Sequence, residues 1–223
     1  MILSKTIKSL IAAALLIAFG SFKPYAQSQK KTLIVGIYQN NPKVFVDDKR
    51  KAKGFLIDII EKIAVLEDWQ IEYVFGNWIE NIERLRKEQI DILLDVSYSE
   101  NRAKEFTLNN FSVIETWLEG YTKENSNISS IADMNGKKIA VIKGSVQEKF
   151  LLEDIKHTWD INFELFVFPS YKLAVEALET EQCDIMIASR FFSFSQEKNK
   201  NIVSSSIVFR PSRIYFAFPK TQD

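Results

Sequence analysis

The sequence contains very little cysteine and histidine, and each shortage excludes a class of site. Cys183 is the single cysteine, so no disulfide can close within the chain and no zinc knuckle can form. His157 is the single histidine, which excludes multi-histidine metal sites and argues against a histidine-based catalytic triad. Neither GxGxxG nor a phosphate-loop lysine motif occurs. We therefore expect neither a metal nor a cofactor.

Glycine, proline and an excess of one charge are also scarce. Only 7 Gly and 5 Pro occur in 223 residues, which leaves no room for a long flexible linker. Lys and Arg together number 29, as do Asp and Glu, so the totals indicate no surface for nucleic acid. At 46% hydrophobic residues the chain is globular, and its length suits one large domain or two of about 100 residues.

The N-terminus has the pattern of a secretory signal over residues 1–26. Lys5 and Lys8 precede a short apolar run, LIAAALLIAF, which is about half the roughly 20 residues that a membrane-spanning helix needs. Cleavage after Gly20 or after Ala26 fits the small-residue rule, and an uncleaved N-terminal anchor is the alternative. The pattern predicts an extracytoplasmic, periplasmic protein.

Patterns typical of strands and helices alternate along the remaining chain. Short β-branched or apolar runs predict strands, and apolar residues at helical spacing predict helices. The predicted strands are 32–38, 70–75, 90–96, 138–142, 162–168 and 183–188, and the predicted helices are 55–66, 78–87, 145–156 and 171–179. This alternation favours an α/β fold with a mostly parallel, doubly wound sheet.

An internal repeat indicates that this α/β unit is built twice. A shift of 93 residues superposes Trp78 on Tyr171 and Gln89 on Gln182, although chance similarity of two βαβ stretches is the alternative. We predict lobe one over 27–112, lobe two over 113–211 and a return strand to lobe one over 212–223. Extended stretches at 112–123 and 206–218 would form a hinge, and a ligand cleft would lie between the lobes.

The segment 95–106 (DVSYSENRAKEF) leaves a buried strand and enters a helix. Arg102 lies about one turn into that helix, where a guanidinium can hold a carboxylate with paired hydrogen bonds, and Ser97 can add a hydroxyl donor. The alternative is a solvated arginine paired with Glu100 or Glu105.

Other candidates follow strands of the second half. Gly144 and Ser145 join a strand to a helix, where free backbone N–H groups form a weak anion-site signal. Asp95, Ser189 and Arg190 end their respective strands and would face the same cleft.

Aromatic residues are candidates for covering a ligand, whereas catalytic groups are not evident. Tyr38, Trp78 and Trp117 can flank a solute, with a core role as the alternative. His157 reads as a surface residue and Cys183 as a small buried hydrophobe, so we predict no catalytic residue and no enzyme.

Several motifs occur in the order of a known family. VGIYQNNP, GFLID, QIDILLDVSYSENRAKEF, DMNGKKIAVIKGS, QCDIMIAS and YFAFPK follow one another from about Thr32 to Lys220. This set resembles the family 3 solute-binding proteins, which have the type II periplasmic binding fold. The variant DVSYSENRAKEF resembles the sensor modules of membrane-bound kinases and cyclases more than the amino-acid transport receptors.

The resemblance implies ligand roles for particular positions. Arg102 matches an arginine that holds a ligand carboxylate, and Ser97 matches the hydroxyl five residues before it. Gly144 and Ser145 match the carboxylate-binding turn of lobe two, and Trp78 matches an aromatic residue that flanks the ligand.

The sequence departs from the family pattern at two of its site positions and at its end. Ser189 stands where amino-acid receptors usually have an Asp for the α-ammonium, and Asp95 stands where they often have Gly. An amino-acid ligand would therefore need Asp95 as its counter-charge. The family continues beyond YFAFPK with helices that complete lobe one, so we expect the C-terminal part of that lobe to be missing and the chain to be a fragment.

Together these patterns predict a monomeric binding module that closes over a small carboxylate-bearing solute and signals to a membrane protein. The ligand-binding set is Tyr38, Trp78, Asp95, Ser97, Arg102, Gly144, Ser145 and Ser189. The alternative is a receptor of an ABC importer for amino acids, working with its permease. A dehydratase-like enzyme on the same fold is a third reading, which would need an acid–base pair such as Asp95 and His157.

Overall fold

The computed structural model describes residues 30–192 and 201–220. The predicted signal segment lies outside these residues. Within the described ranges, no helix is both long enough and apolar enough to cross a membrane.

One long sheet runs through the molecule. Its strand order is β4-β1-β5-β11-β7-β10-β8-β9, with β6 paired to β11, while β2 and β3 form a separate hairpin. The strands are β1 (Lys31–Ile37), β2 (Phe45–Val46), β3 (Ala52–Lys53), β4 (Trp69–Phe75), β5 (Ile92–Ser97), β6 (Thr107–Leu108), β7 (Ile114–Lys123), β8 (Lys138–Ile142), β9 (Glu164–Phe168), β10 (Ile185–Ser189) and β11 (Ile202–Phe218).

The helices agree closely with the apolar periodicity. They are α1 (Phe55–Leu66), α2 (Trp78–Arg86), α3 (Glu100–Glu105), α4 (Val146–Phe150), α5 (Lys156–Thr158) and α6 (Tyr171–Glu179), with a 3-10 turn at Ala132–Met134. The helix predicted over 145–156 is interrupted, because a π-helical turn at Leu151–Ile155 separates α4 from α5.

Two parallel sets of strands flank an antiparallel pair. β1 pairs in parallel with β4 and β5, and β8 pairs in parallel with β9 and β10. Between these sets β7 and β11 run antiparallel to each other, β11 to β5, and β7 to β10. The first parallel set packs in one hydrophobic core and the second set in two, and β11 contributes Phe216 to the core of the first set and Ile207 to one core of the second. The predicted α/β class is confirmed, while the residue boundaries of the lobes stay a prediction.

The internal repeat is visible in matching hydrogen bonds. Asp91 Oδ2 accepts from the Ile34 N–H at 2.7 Å, and Asp91 N–H donates to the Ile34 carbonyl at 2.8 Å. Ninety-three residues further on, Asp184 makes the same pair with Lys138, at 2.8 Å in both directions. These two aspartates therefore tie the start of β5 to β1 and the start of β10 to β8. The strands predicted to begin at 90 and 183 consequently begin at Ile92 and Ile185.

The helices before these strands end in the same way. Glu88 and Glu181 both have positive φ, 55° and 60°, the left-handed conformation that commonly ends a helix. Gln89 N–H then donates to the Arg84 carbonyl and Gln182 N–H to the Ala177 carbonyl, each at 2.8 Å. The sequence identity at the two glutamines thus coincides with a shared helix ending.

Asp91→Ala and Asp184→Ala test this pairing. Both variants remove the acceptor of a backbone N–H, but the Asp91 bond is half-buried, whereas the Asp184 bond is exposed and water can replace it. We expect Asp91→Ala to lower the free energy of unfolding by about 1–3 kcal/mol and Asp184→Ala by less. Urea unfolding measures both, with Asp91→Asn as the control that keeps an acceptor. Equal losses of unfolding free energy in the two alanine variants would contradict the prediction that the half-buried bond contributes more than the exposed one.

Candidate functional site

A small cavity lies where β1, β5 and β10 end, beside the starts of α2, α4 and α6. Its volume is about 40 Å³, the space of about three water molecules. Of the predicted ligand-binding residues all except Gly144 line it. Its lining consists of Tyr38, Asn40, Lys43, Trp78, Asp95, Ser97, Arg102, Thr116, Leu118, Ile142, Ser145, Val146, Gln147, Tyr171, Ser189 and Ile214.

A buried ion pair forms one wall of this cavity. Lys43 Nζ lies 2.7 Å from Asp95 Oδ1, and the two side chains are only 5% and 0% exposed. Asp95 Oδ2 accepts from the Tyr38 hydroxyl at 2.6 Å and from the Asn40 amide at 2.7 Å. The carboxylate thus has three donors and a countercharge from within the chain, so the expected role of Asp95 as an open countercharge for a ligand ammonium is not what the structure shows.

Lys43 lies in the loop after β1, and the first turn of helix α1 holds this loop in place. No side chain caps α1; instead, the Phe55 and Leu56 N–H groups donate to the carbonyls of Pro42 and Lys43, at 3.2 and 3.0 Å. Gly54, with φ 118° and ψ 158°, permits this approach, because a Cβ there would lie 2.3 Å from the Lys43 carbonyl oxygen. Helix α1 and Lys43 therefore position each other.

Two tyrosines stay protonated beside Asp95. Burial, reinforced by the Asp95 charge, raises the pKa of Tyr38 well above its ordinary value. Burial and the same carboxylate also raise the pKa of Tyr171, against the opposing effect of the Gln147 amide. Both hydroxyls are therefore proton-bearing donors at neutral pH.

Arg102 stands at the opposite wall with main-chain partners. Its Nη1 donates to the Ser97 carbonyl at 2.9 Å and its Nη2 to the Gly144 carbonyl at 3.2 Å, while its guanidinium lies 4.8 Å from the Trp78 ring centroid. Desolvation lowers the pKa of Arg102 to about 10, so it remains cationic at neutral pH. Among the described residues no carboxylate forms an ion pair with it, so the alternative pairing with Glu100 or Glu105 is not formed.

The turn at Gly144 joins the two sides of the cavity. The Gly144 carbonyl accepts from Trp78 Nε1 at 3.1 Å as well as from Arg102. Its N–H donates to Glu148 Oε2 at 2.6 Å, and Ser145 Oγ accepts from the Glu148 N–H at 3.3 Å. The free N–H group predicted at Gly144 is therefore occupied by Glu148, and it is the carbonyl of Gly144 that faces Arg102.

Ser189 forms a hydroxyl pair in the cavity wall. Its Oγ lies 3.0 Å from Thr116 Oγ1, and its carbonyl accepts from the Tyr121 hydroxyl at 3.0 Å. Ser189 and Thr116 are 5% and 2% exposed. This wall thus offers neutral hydroxyl groups and no charge.

Some predicted residues lie elsewhere. Arg190 stacks 4.0 Å from the Trp117 ring centroid, and Trp117 Nε1 donates to Glu119, so neither residue lines the cavity. His157 is exposed in α5, outside the cavity lining. Cys183 is buried in a core, which raises the pKa of its thiol to about 11, as expected for an inert cysteine.

A larger groove of about 1180 Å³ adjoins the cavity. Both are lined by Arg102, Leu118, Ser145 and Val146, and Gly144 lines the groove. The cavity itself has room for a carboxylate-sized group, so the rest of a larger solute would extend into this groove or require the cavity to widen.

Comparison with known proteins shows which family and which fold this chain resembles. Residues 33–127 match the family model of bacterial extracellular solute-binding proteins, family 3. The resemblance to that family is confirmed. A curated relative, the arginine-binding extracellular protein ArtP of Bacillus subtilis (strain 168), is 26% identical over 158 residues, which are 66% of this chain. The match spans 59% of that relative's length.

Solved structures with the same fold include a binding protein and a sensor domain. Holo ArgBP from T. maritima has a TM-score of 0.74 at 21% identity, over 85% of this chain and 83% of the other. A histidine kinase sensor domain similar to periplasmic binding proteins has a TM-score of 0.76 at 19% identity, over 86% and 83%. These likenesses show that the chain has the periplasmic-binding-protein fold.

The sequence analysis missed four polar residues of the cavity wall: Lys43, Asn40, Thr116 and Tyr171. Tyr171 is the repeat partner of Trp78, so the repeat itself was a signal for it. No sequence signal pointed to Lys43, because a lysine in a polar loop normally points to water. Its partner in the cavity wall, Asp95, is 52 residues away in the sequence.

Gly54→Ala tests how Lys43 is positioned. The new Cβ would meet the backbone of Lys43 and Pro42 in a conformation essentially restricted to glycine, so we expect a loss of more than about 2 kcal/mol in unfolding free energy. Gly136→Ala is the matched control: it has φ +72° with nothing within 4 Å of the new Cβ, and should cost about 1 kcal/mol. Equal urea midpoints for the two variants would contradict the tight packing at Gly54.

Proposed function

We propose that this protein binds a small carboxylate-bearing solute with Arg102. The observation that carries the proposal is the half-buried Arg102 guanidinium, whose hydrogen-bond partners among the described residues are the Ser97 and Gly144 carbonyls. A partly buried cation without a carboxylate partner is best satisfied by an anion that reaches it.

The charges of the cavity wall support an anionic ligand. Lys43 and Asp95 cancel each other, which leaves Arg102 as the uncompensated charge among the lining residues. Ser97, Ser145 and Ser189 offer neutral hydroxyls, and Trp78 and Tyr38, whose ring centroids are 5.3 Å apart, form an aromatic wall. We assign these residues, together with Asp95 and Gly144, to the binding site, where Asp95 acts by orienting Lys43, Tyr38 and Asn40.

We propose further that binding is read out as cleft closure. Trp78 and Arg102 come from the half that contains β1 and β5, and both donate to Gly144, which follows β8. A carboxylate bound to Arg102 would therefore contact the same guanidinium that bonds the Gly144 carbonyl across the cleft. A solute with higher affinity for the closed arrangement shifts the population toward it, with lobes as predicted at 27–112 and 113–211.

A ligand-sensing module with a membrane signalling partner is our preferred role. The match to a sensor domain favours it, whereas the arginine-binding relative favours the alternative, an extracytoplasmic receptor of an ABC importer and its permease.

Deletion of the gene separates the two: loss of solute uptake supports the importer, and an unchanged uptake with a lost response supports the sensor. The dehydratase reading has no support in the geometry, since His157 lies outside the cavity lining.

Arg102→Ala tests carboxylate binding. We expect monocarboxylates, dicarboxylates and amino acids, screened by thermal shift, to include a ligand whose calorimetric affinity falls about 30-fold or more in this variant, equivalent to about 2 kcal/mol. Arg86→Ala is the control, because Arg86 pairs with Glu83 and Glu105 at the surface and should leave affinity unchanged. Unchanged affinity in Arg102→Ala, or binding confined to solutes without a carboxylate, would overturn the proposal.

A further inference from the structure

We infer that Lys43 determines the ligand class: it occupies the position of a ligand ammonium on Asp95 and thereby selects carboxylates that carry no charged amine. The inference rests on the proposed function, and it names the substrate class of that same cavity. It assigns to a loop lysine a role in specificity that goes beyond stabilising the loop.

The first argument is that the described cavity wall contains one carboxylate. An ammonium group that leaves water needs a negative partner, and Asp95 is the carboxylate among the described lining residues. The other polar side chains of the wall are neutral hydroxyls and amides or are cationic. A ligand ammonium would consequently have to share Asp95 with Lys43.

The second argument is that Asp95 is already satisfied. Lys43 is bonded to Oδ1, while Tyr38 and Asn40 are bonded to Oδ2, all between 2.6 and 2.7 Å. Three of about four acceptor positions of the carboxylate are used, and its charge is cancelled. A second ammonium would meet the positive charge of Lys43 at close range, and that repulsion disfavours its entry.

The third argument is that Lys43 cannot easily move aside. Its backbone carbonyl accepts from the first turn of α1, and Gly54 packs against it. Its side chain is only 5% exposed, so leaving Asp95 would require the lysine to remain buried without its partner or the loop to detach from α1. The ion pair is thus a fixed part of the cavity wall and not a mobile surface pair.

Matched pairs of solutes that differ only in the α-ammonium test the inference. The probes are propionate and L-alanine, 3-phenylpropionate and L-phenylalanine, glutarate and L-glutamate, and 5-guanidinopentanoate and L-arginine. With the full chain, we expect the amine-free member of any pair that binds to be at least tenfold tighter by calorimetry. Lys43→Met should reverse this order, because Asp95 becomes an unpaired carboxylate, whereas Lys43→Arg should keep it.

A second variant covers the case in which Lys43→Met does not fold. Ser189→Asp leaves the Lys43–Asp95 pair intact and places a new carboxylate in the neutral wall beside Thr116. We expect this variant to gain at least tenfold in affinity for the amine-bearing members and to lose affinity for the amine-free ones.

The outcomes separate the inference from the proposed function. Equal or tighter binding of the amine-bearing members by the unmutated protein would overturn the role of Lys43 and leave Arg102 as the carboxylate site. The absence of a gain for these members in every folded variant would also overturn that role. If no member of any pair binds, the carboxylate function itself fails, and the role of Lys43 fails with it.

Discussion

The buried ion pair between Lys43 and Asp95 is the interaction on which the site depends. Removing either partner would leave an uncompensated charge in the interior, at a cost of about 3–5 kcal/mol. The pair also joins two elements, since the Lys43 carbonyl accepts from the first turn of α1 and Asp95 lies on β5. Tyr38 and Asn40, which follow β1, converge on the same carboxylate. The loop after β1, the start of α1 and the end of β5 are thus held together at one buried carboxylate.

The elements of the fold could be predicted because their signals are local. Helices α1 and α6 have the bounds that apolar periodicity indicated, and so does β8. The positions of most site residues followed from topology, because the ends of parallel strands meet at one edge. Lys43 and Thr116 could not be found in this way, since their burial depends on partners distant in sequence, Asp95 and Ser189.

Two of the corrections at the site, those at Gly144 and Arg190, have a common physical reason. A strand-to-helix turn was expected to leave the Gly144 N–H free, but Glu148, four residues on, reaches back to it. Arg190 was expected in the cleft, but the face of Trp117 is a nearer partner for its guanidinium. In both cases a partner within the chain satisfies a group that the pattern alone had left open for a ligand.

Strand β11 has a mechanical consequence that follows from its register. It pairs with β7 from Ile202 to Ile214, but the register of the pairing shifts between Ser204 and Val208 and again between Val208 and Pro211. Pro211 contributes no N–H to the ladder. The ladder is therefore interrupted between the stretch of β11 that packs around Ile207 and the stretch that packs around Phe216, so bending at this point would disturb few hydrogen bonds. A ribbon interrupted in this way would bend at the interruption while the paired residues on either side of it keep their hydrogen bonds.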